Sequence, residues 1–129
     1  MSEIKVPVSP GELLDKITIL RIKSQRMSDP AKVANVRTEL RALEATWDAS
    51  AYAKIDIEAD VGALMDVNER LWMIEDDIRD CERAQAFDAE FIRLARAVYV
   101  ENDERAAIKR RINTKLGSSI IEEKSYRQY

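Results

Sequence analysis

The chain contains no histidine, and it has only one cysteine, three glycines and three prolines among its 129 residues. Without histidine it lacks the commonest general base and the commonest zinc ligand. The lone cysteine, Cys81, excludes a disulfide framework and the paired-cysteine motifs of redox and zinc sites. The scattered glycines exclude a phosphate-binding glycine-rich loop. These absences rule out most of the well-known catalytic motifs, and we expect no cofactor.

Long apolar runs and a strong net charge are missing as well. The longest uncharged apolar stretches, such as Ala97–Val100, are far shorter than the roughly 20 residues that span a bilayer. The net charge of −3 provides no overall field that would attract nucleic acid or anionic lipid. The first eight residues carry neither the basic nor the apolar segment of a secretory signal. Together with the free thiol, these features predict a cytoplasmic protein without membrane insertion or a nucleic-acid partner.

The apolar residues that are present recur at the three-to-four spacing of amphipathic helices. A capping residue followed by proline marks two helix starts, at Ser9-Pro10 and at Asp29-Pro30. The length suits one domain over residues 1–129, and we predict an all-α, four-helix bundle-like fold with a short extended segment at each end. The expected helices cover about Pro10–Met27, Pro30–Trp47, a stretch from a cap at Asp56 to about Ala84, and Asp88–Leu116.

The continuity of the fourth helix is the main ambiguity of this pattern. The sequence Asn102-Asp103-Glu104 resembles a new helix start, but the stripe of residues spaced seven apart keeps its phase across it. Kept phase predicts one unbroken helix that ends at Gly117. The tail, Ser118–Tyr129, either pairs with the extended segment Ile4–Val8 or forms a loose strap.

A charged residue interrupts the apolar stripe of the fourth helix. Arg105 lies where valine or leucine is expected, with Asn102 and Lys109 on the same face. If helices three and four form an antiparallel hairpin about residue 86, Asn68 lies level with Arg105 and Glu75 lies level with Ala97. Asn68 and Glu75 both border the Leu71 stripe of the third helix. Because a buried charge is costly unless it is paired, Arg105 needs an acceptor. The candidate acceptors are Glu101, Glu75 and Asp15.

Three interpretations of this cluster remain open. In the first, Arg105 and Lys109 bind a phosphate or a carboxylate that the asparagines orient. In the second, the cluster is a structural ion-pair network, and in the third, Arg105 extends to the surface. The candidate ligand-binding residues are Asp15, Asn68, Glu75, Asn102, Arg105 and Lys109.

Two further features have simpler interpretations. The acidic cluster Glu75-Asp76-Asp77 with Asp80 and Glu82 offers oxygen ligands of the kind that magnesium prefers, but Arg79 and Arg83 interleave with it. The fourth helix has no matching acidic pair, so we predict a solvated helix face and no metal. Cys81 lies on the apolar stripe of the third helix, which predicts a buried and inert thiol.

The length of the third helix favours self-association. Helices of this length, about 40 Å for the third, expose a core stripe and a second apolar edge, which we assign to Met65, Trp72 and Tyr99. One domain of this size does not easily cover two apolar edges, so we expect a dimer or a larger homo-oligomer. The leading hypothesis is a non-catalytic interaction or assembly module. The alternative is a domain or enzyme that binds a small acidic or phosphorylated ligand around Arg105.

Several stretches resemble a known family. They are GELLDKITILRIKSQRM from Gly11, DPAKVANVRTEL from Asp29, LWMIEDDIRDCERA from Leu71, FDAEF from Phe87, NDERAAIKRRIN from Asn102 and EEKSY from Glu122. Together they resemble a small bacterial family described as a domain of unknown function, over nearly the whole chain. Members of that family occur near or fused to glycosyltransferase and surface-polysaccharide genes. The resemblance therefore implies a role accessory to glycan or lipopolysaccharide biosynthesis, and it brings no catalytic residue.

Overall fold

A computed structural model describes residues 2–129 and shows four α-helices, with no strand in that range. This confirms the all-α, bundle-like fold, and the predicted boundaries differ from the observed ones only at helix ends. The helices are α1 (Pro10–Arg26), α2 (Pro30–Asp48), α3 (Glu58–Arg83) and α4 (Ala89–Lys115), with a short 3-10 helix at Ala51–Lys54 between α2 and α3.

Side-chain caps start three of the helices, as the sequence predicts. The hydroxyl of Ser9 accepts a hydrogen bond from the Glu12 amide at 3.2 Å, and the carboxylates of Asp29 and Asp88 cap α2 and α4. The prediction for α3 is wrong by one residue, because Ile57 occupies the cap position. Asp56 still accepts from the Glu58 amide at 3.1 Å, one residue farther out.

The fourth helix runs unbroken through Asn102, which confirms the prediction from its apolar phase. Gly117, with φ of +67°, ends it in a Schellman motif in which the Ser118 amide donates to the Asn113 carbonyl at 2.9 Å. The end of α3 uses the same motif with a glutamine at the left-handed position. Gln85 has φ of +54°, and the Ala86 amide donates to the Cys81 carbonyl at 2.9 Å.

The short helix α1 lies at the centre of the molecule and packs against α2, α3 and α4. Helices α3 and α4 pair as a hairpin, and α2 packs on α1 and the 3-10 helix. At the start of α1, the Gly11 amide donates to the side-chain oxygen of Asn113 at 2.7 Å, which joins the first helix to the last. The buried apolar cluster between these helices consists of Leu14, Ile17, Ile57, Leu64, Val67, Ile108, Ile112 and Leu116.

The hairpin is longer than the helix that covers it. With 17 residues α1 spans about 26 Å, whereas α3 and α4, with 26 and 27 residues, span about 40 Å. The half of the hairpin next to its turn therefore lacks a covering helix. Several of its apolar side chains are exposed, at 47% for Met73, 50% for Phe87 and 55% for Ile92.

The tail forms a strap along α4, which decides between the two alternatives left open by the sequence. Glu123 accepts a hydrogen bond from Arg110 at 3.2 Å, and the Tyr129 ring meets the Tyr99 ring at a centroid distance of 5.1 Å. Since Tyr99 contacts the tail, the second apolar edge predicted from the sequence is partly covered within the chain. None of the helices in residues 2–129 combines the length and the apolar character needed to cross a bilayer.

Candidate functional site

Three buried polar side chains meet where α1 crosses α3. The Asn68 amide nitrogen donates to the Asp15 carboxylate at 2.8 Å and to the Thr18 hydroxyl at 2.9 Å. The Thr18 hydroxyl donates in turn to the Asp15 carbonyl at 2.8 Å. All three residues are at most 6% exposed, so these bonds replace the water that the polar groups lose on folding. The network fixes the orientation of the Asn68 side chain.

The guanidinium of Arg105 binds the other end of the Asn68 amide. Its Nη1 donates to the Asn68 oxygen at 3.1 Å, and its Nη2 donates to the Asn102 oxygen at 2.8 Å. Arg105 is half-buried, and no carboxylate within residues 2–129 lies closer than 4.0 Å to it. Two neutral amides therefore hold this cation, and they engage two of the five N–H donors of the guanidinium.

The prediction that a carboxylate pairs with Arg105 is wrong, because each candidate acceptor has a different partner. Glu101 accepts from Arg70 at 2.8 Å, and Glu75 accepts from Arg79 one turn along α3. Asp15 is oriented by Asn68. The position of Arg105 opposite Asn68, which the hairpin register predicts, is confirmed.

Lys109, one turn beyond Arg105, lies in an ion-pair cluster. Its Nζ donates to Glu12 at 2.7 Å and lies 3.7 Å from Asp15 and 3.5 Å from Glu122. The residue is only 8% exposed. Burial by itself lowers the pKa of Lys109, but the bond to Glu12 and the nearby carboxylates outweigh it and raise that pKa. Lys109 is thus a charged residue whose charge is already compensated.

Arg105 faces a cleft between α1, α3 and α4, which we call the interhelical cleft. Its volume is about 460 Å³, within the range of small-molecule sites. It brings together four of the predicted site residues, while Asp15 and Lys109 lie outside its lining. The lining residues are Ile19 and Lys23 of α1, Asn68, Leu71, Trp72, Glu75, Asp76 and Arg79 of α3, and Asn102 and Arg105 of α4.

A second cleft, the tail cleft, lies between α4 and the C-terminal tail and has a volume of about 270 Å³. Asn102 and Arg105 line this cleft too, so both residues border both cavities. On the α4 side Tyr99 and Lys109 also contribute to it. The tail supplies Glu122, Lys124 and Tyr126.

The acidic face of α3 and the thiol of Cys81 were the other candidates for metal binding or reactivity. Across residues 2–129, histidine, cysteine and acidic side chains form no group of three that could hold a metal ion. Cys81 is half-buried, whereas the sequence predicted a buried thiol, because no helix covers this half of the hairpin. Loss of solvent and the nearby charges of Asp88 and Glu90 raise the pKa of the Cys81 thiol.

Comparison with known proteins places the chain in a family. Residues 4–129 match the family described as "Family of unknown function (DUF6165)". The chain belongs to this family. Comparisons with curated proteins and with solved structures give no match. The match confirms the resemblance to a family of unknown function over nearly the whole chain.

Sequence reasoning missed three residues of the site in this DUF6165 member. Thr18 gave a usable signal, because it and Asp15 are polar residues three apart on a helix that is apolar most of the way round. Trp72 was assigned to an interaction edge, yet it lines the interhelical cleft. Lys23 gave no signal, since a lysine near a helix C-terminus is common on any helix.

Proposed function

We propose that this protein is a cytoplasmic binding domain for a small molecule that carries a phosphate or a carboxylate group. The observation that carries the proposal is the half-buried guanidinium of Arg105, which opens onto the interhelical cleft without a carboxylate partner. The anionic group of the ligand would complete the coordination of this cation.

Asn68 and Asn102 orient the guanidinium of Arg105 before a ligand binds. Amide oxygens orient the guanidinium through hydrogen bonds but do not neutralise its charge. A partly desolvated charge without a counter-ion is unfavourable, and an anion that binds it recovers that free energy. A planar guanidinium also matches the paired oxygens of a phosphate or carboxylate.

A second cation favours a ligand with more than one negative charge. Lys23 reaches the cleft from α1, and it forms no ion pair with a carboxylate of the described chain. Glu75, which also lines the cleft, is engaged by Arg79 on its own helix. The cleft therefore offers two cations without carboxylate partners, from two different helices, against one unpaired carboxylate, that of Asp76.

An apolar wall favours a ligand with a ring or an apolar part. Ile19, Leu71 and Trp72 line the cleft and are half-buried. A tryptophan at a cleft wall provides a large flat surface for packing against such a group. The ligand class that fits best is thus a ring-bearing small molecule with a phosphate, pyrophosphate or carboxylate group.

Thermal-shift titration with inorganic pyrophosphate tests the anion site. A ligand at about 100 times its Kd stabilises a native protein by about 2.7 kcal/mol, which raises the melting temperature by about 10 °C here. We expect this rise for the unmodified protein and its loss in Arg105→Gln. Arg93→Gln is the matched control, because Arg93 is an exposed α4 cation outside both clefts that pairs with Glu90. Equal shifts in all three proteins, or no shift with any of them, would refute the proposal.

Self-association as an interaction module is the second candidate function, and the exposed apolar residues of the uncovered half of the hairpin favour it. Met73, Phe87 and Ile92 are each about half exposed. We expect light scattering to report a dimer or larger at micromolar concentration and Ile92→Lys to shift it towards monomer. A monomer mass for the unmodified protein would rule this candidate out.

A further inference from the structure

The C-terminal tail, Ser118–Tyr129, is attached to α4 mainly by exposed side chains. The carboxylate of Glu122 lies 3.5 Å from Lys109 and 3.6 Å from Lys124. Glu123 binds Arg110 at 3.2 Å, and Tyr129 packs on Tyr99. The segment 120–129 has no regular secondary structure in the described chain. Because exposed ion pairs contribute little to stability, such a segment can detach at small cost.

Glu122 is the surplus carboxylate in the cluster around Lys109. The single charge of Lys109 is already met by Glu12 at 2.7 Å and by Asp15 at 3.7 Å, both fixed on α1. The Glu122 side chain is 42% exposed, compared with 28% for Glu12 and 8% for Asp15. Three carboxylates around one ammonium repel one another, so the most exposed one on the most weakly attached segment is the one that exchanges most readily.

The position of Glu122 matters because Glu122 and Arg105 line the same cleft. Glu122 and Lys124 form the outer wall of the tail cleft, and Arg105 and Asn102 form part of the wall contributed by α4. An anion that approaches Arg105 through this cleft meets the negative charges of Glu122 on the tail and of Asp103 on α4. With the tail displaced, Arg105 would be open on this side.

We propose that the tail is a displaceable lid on the Arg105 site and that Glu122 is an internal competitor for the ligand's anionic group. This inference rests on the function proposed above. A phosphate or carboxylate that reaches Arg105 through the tail cleft repels the Glu122 carboxylate and displaces it from the cleft. The lid then leaves Lys109 while Glu12 and Asp15 still compensate that lysine.

Calorimetric titration of inorganic pyrophosphate into charge variants of the tail tests the competition. We expect Glu122→Gln to bind pyrophosphate about five-fold more tightly than the unmodified protein, because one weak competing ion pair and its repulsion are removed. Glu123→Gln is the matched control. It loses the same charge from the next residue, whose partner Arg110 lies outside the tail cleft, and its affinity should stay within about two-fold.

A second measurement follows the lid itself. In the unmodified protein, pyrophosphate should move the backbone amide resonances of residues 122–129 towards random-coil positions, and it should not do so in Arg105→Gln. If pyrophosphate binds through Arg105 but both tail variants bind equally and the tail resonances stay in place, the lid proposal is wrong and the anion site stands. If pyrophosphate binds none of the variants, both proposals are wrong.

Discussion

The two halves of the α3–α4 hairpin differ more in burial than in sequence pattern. The covered half, residues 60–72 and 102–116, packs against α1 and contains all the buried residues of the two helices except Leu94. The free half, residues 73–100, continues the same three-to-four apolar stripe but leaves most of it half-buried or exposed. An amphipathic stripe therefore marks where burial is possible, and the position of the short helix α1 decides where it occurs.

The polar residues of the two halves differ in the same way. In the covered half they bind across helices, as Asn68 does with Asp15 and Arg105. In the free half, charges pair along one helix, as Arg93 does with Glu90 and Arg79 with Glu75. Pairs along one helix add little stability, whereas a buried cross-helix network fixes the relative position of three helices.

The largest expected effect on stability comes from truncating a buried isoleucine, and one isoleucine in each half allows the comparison. Ile112 in the covered half is fully buried, and Ile92 in the free half is 55% exposed on the same helix. Ile112→Ala should lower the free energy of unfolding by about 2–5 kcal/mol, since it leaves a cavity. Ile92→Ala should change it by less than about 0.5 kcal/mol. Urea denaturation measures both, and similar losses would show that the halves are equally packed.

The next largest effect is expected at Gly11, where α1 closely approaches α4. A Cβ atom on Gly11 would lie 2.7 Å from the Lys109 carbonyl oxygen, whereas a Cβ on Gly62 meets nothing within 4 Å. Gly11→Ala should therefore destabilise the protein by about 1–3 kcal/mol. Gly62→Ala should stabilise it by about 0.5–1 kcal/mol, because alanine is the better helix former. Melting curves that shift in the same direction for both variants would contradict this packing.

The pH dependence of stability tests the ion pairs of Asp60, which lies at the end of the covered half. The hydrogen bond from Arg111, at 2.8 Å, outweighs burial and holds the pKa of Asp60 below its ordinary value, with Lys115 also contributing. The stabilisation is therefore complete above the unfolded pKa of about 3.9 and is lost as the pH falls through the lower folded pKa.

We expect Asp60→Asn to lose about 1 kcal/mol at neutral pH. It should also lose less stability than the unmodified protein when the pH is lowered from about 5 to 3. Melting temperatures across this range measure the difference. Parallel pH profiles for the two proteins would show that Asp60 carries no pH-dependent stabilisation.

The smallest effect lies at the turn of the free half. Gln85 adopts φ of +54°, a left-handed conformation that costs an L-residue free energy and costs glycine none. Gln85→Gly should raise the free energy of unfolding by about 0.5–1 kcal/mol, and Gln85→Ala should not. A glycine variant no more stable than the alanine variant in urea denaturation would contradict the strained turn.

The fold was predictable where the signal is local. Proline after a capping residue marks the start of α1, and the unslipped apolar phase predicts that α4 continues through Asn102. Counting residues from the turn placed Asn68 opposite Arg105, which the hydrogen bond confirms. Each of these depends on helix geometry alone.

The rest of the site was not predictable, because it depends on where α1 lies. The two amides that hold Arg105 lie at predictable positions on α3 and α4, but the absence of a carboxylate partner depends on the other contacts of Asp15, Glu75 and Glu101. The cluster of Glu12, Asp15 and Lys109 joins α1 to α4, and Glu122 joins it from the tail. No periodicity within one helix encodes such contacts between distant segments.

The bond between the Gly11 amide and the Asn113 side chain has a consequence for synthesis on the ribosome. Helix α1 emerges first, but much of the surface that buries it is translated last. Until residue 113 has left the exit tunnel, α1 has only part of its native surroundings and exposes apolar side chains of the future core. Nascent chains stalled before this point should therefore be more sensitive to protease than chains stalled after it.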